Sequence, residues 1–381
     1  MDDNAWNNVR SLEELRGHPN PPLFRTLDDL IEPETLASLL HIPMKQWIMR
    51  REPITIGYSG ATLERVTLSE AYKQTDTLTF VLKQIDLSTN WLMRATSDTT
   101  CRELQFTQSA FWKLLPAEIW SPILACAYGD DGVGILLMLD VQQWIFSSSI
   151  CYNSPNLSLV SFIIDRLAAM HAACWGNSAL HSASWLTTPA DVMLMLTPGH
   201  LSKLGNIVPG YFKEAIEMWS YLWSLIDPAD VVTIKRTLDD PSNLVRAINT
   251  GPVTLIHGDA WPANFGKRDE KLILLDWAFV SVGPPTFDSL WLANTWRTVD
   301  PNQILIDHRN ALIRHGVTSV SDNTIWDLLV DLGWIRAVFM GVESLVRDVI
   351  DLESTISHTE AINRLRFWCH RTALILDRRR W

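Results

Sequence analysis

The hydrophobic periodicity of this chain changes once, near Asp140, and that change limits the folds open to it. Before it, "TLTFVLKQID" sets Leu78, Phe80 and Leu82 on one face and Val81, Lys83 and Ile85 on the other, the two-residue period of a strand. "PITIGYSGATLERVTL" reads as two strands joined by a tight Tyr-Ser-Gly turn, and "ILACAYG" with "VGILLMLDV" as a hairpin about Gly-Asp-Asp-Gly. "STNWLMRATSDTT" reads as a loop or frayed connection, and a helix is expected from near Thr100 through "CRELQFTQSAFWKLL". After Val141, "LSLVSFIIDRLAAMHAACW", "YFKEAIEMWSYLWSLI", "TIWDLLVDLGWIRAVFMGVESLV" and "EAINRLRFWCHRTALIL" repeat their apolar residues every three or four positions. The expected class is therefore α+β. A helical extension over residues 1–50, broken by prolines in "GHPNPPLF", precedes a sheet-rich lobe over 51–140 and a helical lobe over 141–381.

Composition removes several alternatives. Hydrophobic residues at 47% and charged residues at 20% describe a packed chain, not a disordered one. A formal charge of −11 argues against a nucleic-acid partner, whose phosphates require a basic face. No apolar run reaches the roughly 18 residues that span a bilayer. "MDDNAWNNVR" lacks the basic and apolar regions of a signal peptide, so a soluble, cytoplasmic protein without a membrane partner is expected. Cys101, Cys126, Cys151, Cys174 and Cys369 are scattered and never in a C-x-x-C pair, which fits reduced thiols and excludes the usual zinc spacings. Tryptophan stands out, with 18 residues against 12 Phe and 6 Tyr; most are expected in the core, and some could wall a pocket. The closing "DRRRW" is expected to be a solvated basic run.

The chemistry concentrates in "LIHGDAWPANFGKRDEKLILLDWAF". Asn264 follows Asp259 by five positions and Asp276 follows Asn264 by twelve, on what reads as a loop between two short apolar strands. Carboxylate and amide oxygens suit Mg²⁺, which binds a few carboxylates together with substrate phosphates. A further carboxylate can orient or deprotonate a hydroxyl. Together these are the parts for phosphoryl transfer, although Asp and Asn also form ordinary turns.

"HGDAWPANF" followed by "LLDW" resembles the catalytic and metal-binding motifs of the aminoglycoside phosphotransferases, choline kinases and ecdysteroid-kinase-like small-molecule kinases. The resemblance covers about residues 54–300 and implies a protein-kinase-like two-lobe fold using ATP and Mg²⁺. It makes Asp259 the catalytic residue facing an acceptor hydroxyl, Asn264 and Asp276 the metal ligands, and His257 a support for the loop. It makes Lys83 the contact to the nucleotide phosphates and Glu103 its helix partner, with Ser59 and Gly60 in the loop over the phosphates. Other readings stand beside these: snorkelling from an edge strand for Lys83, a Thr100-x-x-Glu103 capping box for Glu103, and a plain hairpin turn for Gly57–Ala61. "RLAAMHAACWG" resembles a helix of the same enzymes in which His171 is a satisfied core residue, and in "GPPTFDSLWL" Asp288 would be buried near the catalytic loop. That group often has Glu-Asp at the hinge, where this chain has Leu139-Asp140. Protein-kinase landmarks are missing, and Gly283 follows Asp276 by only seven positions, too few for an activation segment. The expected function is an ATP- and Mg²⁺-dependent phosphotransferase acting on the hydroxyl of an antibiotic-like, amino-alcohol or sterol-like small molecule. The acceptor is expected along Ile150 to Trp223 and after Asp288. The alternative is a catalytically silent kinase fold that binds a nucleotide or a protein partner. The sequence does not give the oligomeric state.

Overall fold

The structure, a computed structural model, describes residues 20–40, 47–54, 60–70, 73–129, 132–146, 155–204, 210–351 and 356–381. The chain divides into two compact units. The first holds residues 1–115 and 120–144, and the second residues 116–119 and 145–381.

The first unit is built on a six-stranded sheet. Its strands are β1 (Leu23–Phe24), β2 (Trp47–Ile54), β3 (Thr62–Glu70), β4 (Lys73–Ile85), β6 (Ile123–Tyr128) and β7 (Gly134–Leu139), in the order β1-β6-β7-β4-β3-β2. The strand β5 (Ile119–Trp120) belongs to a separate sheet. All pairings in the six-stranded sheet are antiparallel except β1 with β6. β4 is central, so Lys83 lies between Leu63 of β3 and Leu136 of β7 and cannot reach water along an edge. Phe80 and Leu82 are buried on one face of β4 and Ile85 on the other, and the adjacent Leu136 and Leu137 of β7 are both buried, so the middle of the sheet is covered on both faces. The expected loop after β4 instead contains a one-turn helix over Trp91–Ala95, started by Asn90, whose Oδ1 accepts from Met93 N at 3.2 Å. The expected single helix from Thr100 is two pieces, α1 (Arg102–Gln108) and a short turn over Ala110–Lys113. Between them the Ser109 hydroxyl bonds back to the Phe106 carbonyl at 2.7 Å, and Ser109 is extended.

The second unit is mainly helical. Its principal helices are α2 (Leu157–Ala173), α3 (Gly210–Leu225), α4 (Thr286–Thr295), α5 (Pro301–Arg314), α6 (Asn323–Ile350) and α7 (His358–Arg379). α6 is buried along most of its length and packs against α3, α4 and α7. Trp219, Trp277, Trp296, Trp334 and Trp368 are among the largest fully buried side chains, so these five are core residues. The C-terminal basic run is not simply solvated: Arg378 and Arg379 both bind the buried carboxylate of Asp331, tying the end of α7 to α6.

The loop region is more elaborate than one hairpin. β8 (Thr254–Ile256) pairs antiparallel with β11 (Ser281–Gly283), while β9 (Phe265–Arg268) pairs with β10 (Lys271–Leu274). β5 completes a three-stranded sheet in the order β5-β10-β9. The two apolar strands that flank Asp259 and Asp276 in sequence therefore belong to different sheets. Asp259 and Asn264 lie on the connection from β8 to β9, and Asp276 on the one from β10 to β11.

Candidate active site

In the first unit, Lys83 Nζ donates to Glu103 Oε2 at 2.6 Å, with the two side chains 7% and 0% exposed. The route that brings Glu103 there starts before α1. Cys101 is the N-cap residue and its side chain makes no cap bond, but Asp98, three residues earlier, accepts from Thr100 N at 3.0 Å and from Arg102 N at 2.6 Å. Cys101 then turns the chain at φ 57°. It lies so close to Gly134 of β7 that a Cβ there would come within 2.2 Å of the thiol sulfur. Asp98 thus does what a Thr100 capping box would have done, and the Glu103 carboxylate is turned to the lysine. A buried ion pair adds little net stability against an apolar pair, but removing one partner leaves a bare charge. Gly60 is exposed at φ 80°, as a turn glycine can be, and Ser59 lies outside the described residues.

In the second unit the loop after β8 is held by its backbone. His257 N donates to Asp288 Oδ2 at 2.8 Å and Gly258 N to Asp288 Oδ1 at 2.9 Å. His257 Nε2 meets the Leu275 carbonyl at 2.9 Å, which requires the proton on that nitrogen. Its Nδ1 then accepts from Asp259 N at 3.3 Å. Burial lowers the pKa of His257, so the ring is neutral and links the two strand connections. Gly258 sits at φ 82°, and a Cβ there would meet the Phe279 carbonyl oxygen at 2.1 Å, so only glycine fits.

Two residues not expected from the sequence as site residues complete the support. Arg336 of α6 is fully buried and donates to the Phe287 carbonyl at 3.0 Å and to the Gly258 carbonyl. Burial lowers its pKa to about 10, so it stays charged at neutral pH. Trp291 of α4 donates Nε1–H to Asp259 Oδ1 at 3.1 Å. A lone cation inside the apolar run "LGWIRAVFM" was a usable signal for Arg336; nothing in the sequence sets Trp291 apart from the other tryptophans.

Asp259 keeps part of its surface open, but its carboxylate is enclosed enough that burial raises its pKa to about 6, with repulsion from Asp276 adding to the rise. Asn264 Nδ2 donates to the Asp259 carbonyl at 3.0 Å and to Asp259 Oδ2 at 2.9 Å. This orientation reserves the amide oxygen of Asn264 for another donor or a cation. Asp276 opens the next turn at φ 58°. The donor set suits a hard cation: one carboxylate and one amide oxygen, with the Asp259 carboxylate near enough to be repelled by Asp276. No group of three or more His, Cys, Asp or Glu residues able to hold a metal occurs among the described residues.

Asp288 lies where the sequence placed it, with its carboxylate buried and its pKa lowered by the donors around it, despite the burial that opposes this. His171 Nε2 lies 3.0 Å from Asp288 Oδ2 and His171 Nδ1 3.1 Å from His308 Nε2, so His171 is a satisfied core residue. The four described cysteines are buried, and burial raises the pKa of each thiol; Cys151 lies outside the described residues. The acceptor stretch expected from Ile150 lies partly outside them too.

A family model described as the phosphotransferase enzyme family matches residues 205–317. The loop of Asp259, Asn264, Asp276 and Asp288 falls within that match. This is the family read from "HGDAWPANF" and "LLDW". No curated protein matches the chain. Among solved structures the chain is similar to the aminoglycoside phosphotransferase APH(2'')-Ib bound to ADP, at 13% identity and a TM-score of 0.42, over 90% of this chain and 97% of that one. It is similar to the choline kinase LicA from Streptococcus pneumoniae at 15% identity and a TM-score of 0.42, over 91% and 99%. It is also similar to the macrolide 2'-phosphotransferase MphH from Brachybacterium faecium at 15% identity and a TM-score of 0.40, over 89% and 98%. Among the described residues no helix is long and apolar enough to cross a membrane.

Proposed function

We propose that the protein transfers the γ-phosphoryl group of ATP to the hydroxyl of a small molecule. The observation that carries this reading is the Asp259 carboxylate, held on both oxygens beside Asn264 and Asp276, within a segment matching a phosphotransferase family. Asp259 receives the hydroxyl proton. As it does so, the acceptor oxygen bonds to the γ-phosphorus, the bond from that phosphorus to the β–γ bridging oxygen breaks, and ADP leaves with the electron pair. Burial raises the pKa of Asp259 to about 6, which makes it a better base than an exposed aspartate and still leaves it largely ionised above that pH. Asn264 and Asp276 hold Mg²⁺ through oxygen atoms; the ion supplies charge neutralisation at the phosphates. Lys83, kept charged and aimed by Glu103, binds the phosphates of the nucleotide. Asp288 and Arg336 hold the Asp259 loop still. The acceptor class is an antibiotic-like, amino-alcohol or sterol-like alcohol.

The test is a product-detecting screen of Mg·ATP against aminoglycosides, macrolides, choline-like amines and sterols, run with wild type and Asp259→Asn. A phosphorylated product formed by wild type and lost in the variant supports the reading. A product formed equally by both removes Asp259 from the chemistry.

A further inference from the structure

Both oxygens of the Asp259 carboxylate already hold a donor, and the two donors differ in origin. Oδ2 accepts from Asn264, a neighbour on the same loop, at 2.9 Å. Oδ1 accepts from the indole N–H of Trp291 at 3.1 Å, and Trp291 belongs to α4, a separate element. With one donor on each oxygen, the carboxylate cannot rotate without breaking a bond. Each oxygen has two lone pairs, so Oδ1 can take a second donor while the indole occupies the first.

The seat of the indole is itself fixed. A Cβ at Gly341 of α6 would come within 3.3 Å of Trp291 Cζ3 and within 2.0 Å of Asn294 Nδ2, so the two helices meet there only because that residue is glycine. Asn294, three residues beyond Trp291 on α4, donates to the Ala337 carbonyl of α6 at 3.1 Å and accepts from Arg364 of α7 at 3.0 Å on its Oδ1. α4 therefore cannot rotate to carry the indole away. Tryptophan also suits the task chemically. Its N–H donates and never accepts, so it cannot compete for the acceptor's proton, and it carries no charge to neutralise the carboxylate as a lysine would.

We propose that Trp291 is a positioning residue for the transfer step: its N–H sets the rotation of the Asp259 carboxylate and leaves the second lone pair of Oδ1 directed at the acceptor hydroxyl. This rests on the phosphotransferase reading. It places part of the catalytic geometry on α4 and not on the loop.

The experiment uses the full chain with Mg·ATP and water as the acceptor, so no alcohol need be known. Trp291→Phe keeps an aromatic ring and removes the N–H. The slow hydrolysis of Mg·ATP should lose about tenfold in kcat, as expected for a hydrogen bond to a charged group. The KM for Mg·ATP and the unfolding midpoint should stay as in wild type. In ¹H–¹⁵N spectra of the free protein, the indole resonance missing from Trp291→Phe should lie downfield of exposed indoles in wild type. It should move upfield in Asp259→Asn. Wild-type kcat in Trp291→Phe, or parallel loss of kcat, nucleotide affinity and midpoint, would overturn the proposal. If Trp291→Phe does not fold, selective labelling of the wild-type and Asp259→Asn proteins decides: no indole resonance sensitive to Asp259 overturns it. A wild type that neither binds nor hydrolyses Mg·ATP overturns the phosphotransferase reading itself, a result distinct from either.

Discussion

In the sheet-rich unit one lysine meets one glutamate, Lys83 with Glu103, and the pair is nearly sealed from water. In the helical unit Asp259 and Asp288 both lean on one guanidinium, Arg336, while Asp276 adds a negative charge that raises the pKa of Asp259. The first is an ion pair whose two charges meet directly. In the second, burial and repulsion from Asp276 disfavour the ionised form of Asp259. An ion pair orients a side chain; a carboxylate with a raised pKa is suited to take up a proton. The proposed chemistry asks for both, an oriented lysine at the phosphates and a carboxylate cluster that holds Mg²⁺ and accepts a proton.

The largest expected effect falls on Asp259. Asp259→Asn should lower phosphoryl transfer by ~10³-fold, the scale of a lost general base, while Mg·ATP affinity stays near wild type. A transfer assay and a nucleotide titration on the same preparation check both halves. In the sheet-rich unit, Lys83→Met should destabilise the protein by about 3–5 kcal/mol, because it removes one partner of a buried ion pair. Lys83→Met with Glu103→Leu should regain most of that stability and none of the activity. Denaturant unfolding of the single and double variants would separate the two roles of the pair.

Asp288→Ala removes the acceptor for His257 N, Gly258 N and His171. Stranding buried donors costs about 1–3 kcal/mol each, so a loss of at least about 3 kcal/mol is expected from the unfolding midpoint. The pH dependences of the two aspartates should have opposite signs. The lowered pKa of Asp288 contributes stability above its unfolded pKa, which is lost as pH falls through the folded value. Asp259 is raised to about 6, so its contribution is present at low pH and lost as pH rises through about 6. Activity follows the ionised base, so kcat/KM should drop on the acid side of pH about 6. The smallest effect is at the start of α1. Asp98→Ala should cost about 1 kcal/mol as a lost cap, whereas Thr100→Ala should change stability by less than about 0.5 kcal/mol.

The residues proposed to carry the chemistry stand out in the sequence because each breaks a local pattern. Lys83 interrupts an apolar strand, and Asp259, Asn264 and Asp276 crowd the ends of two apolar runs. The change of period near Asp140 marks where strands give way to helices, whereas the compact units run 1–115 with 120–144 and 116–119 with 145–381. What the sequence hid depends on distant partners. β9 is four residues, "FGKR", half of them charged, and becomes a strand only by pairing with β10. The pairing of β8 with β11 puts the two apolar strands that flank the loop in different sheets, which their sequence does not reveal. Glu103 fitted a capping box equally well until Asp98 and the positive φ of Cys101 moved the helix start. Arg336 and Trp291 act from α6 and α4 on a loop 78 and 32 residues away in sequence, which no local spacing reveals.

The most direct test of the account is a calorimetric titration of ATP into wild type and Asp276→Ala, each with and without Mg²⁺. The account predicts Mg²⁺-dependent binding in wild type that Asp276→Ala abolishes, because the carboxylate cluster is completed by the cation that the nucleotide brings. Equal affinity in the two proteins, or binding indifferent to Mg²⁺, would contradict it.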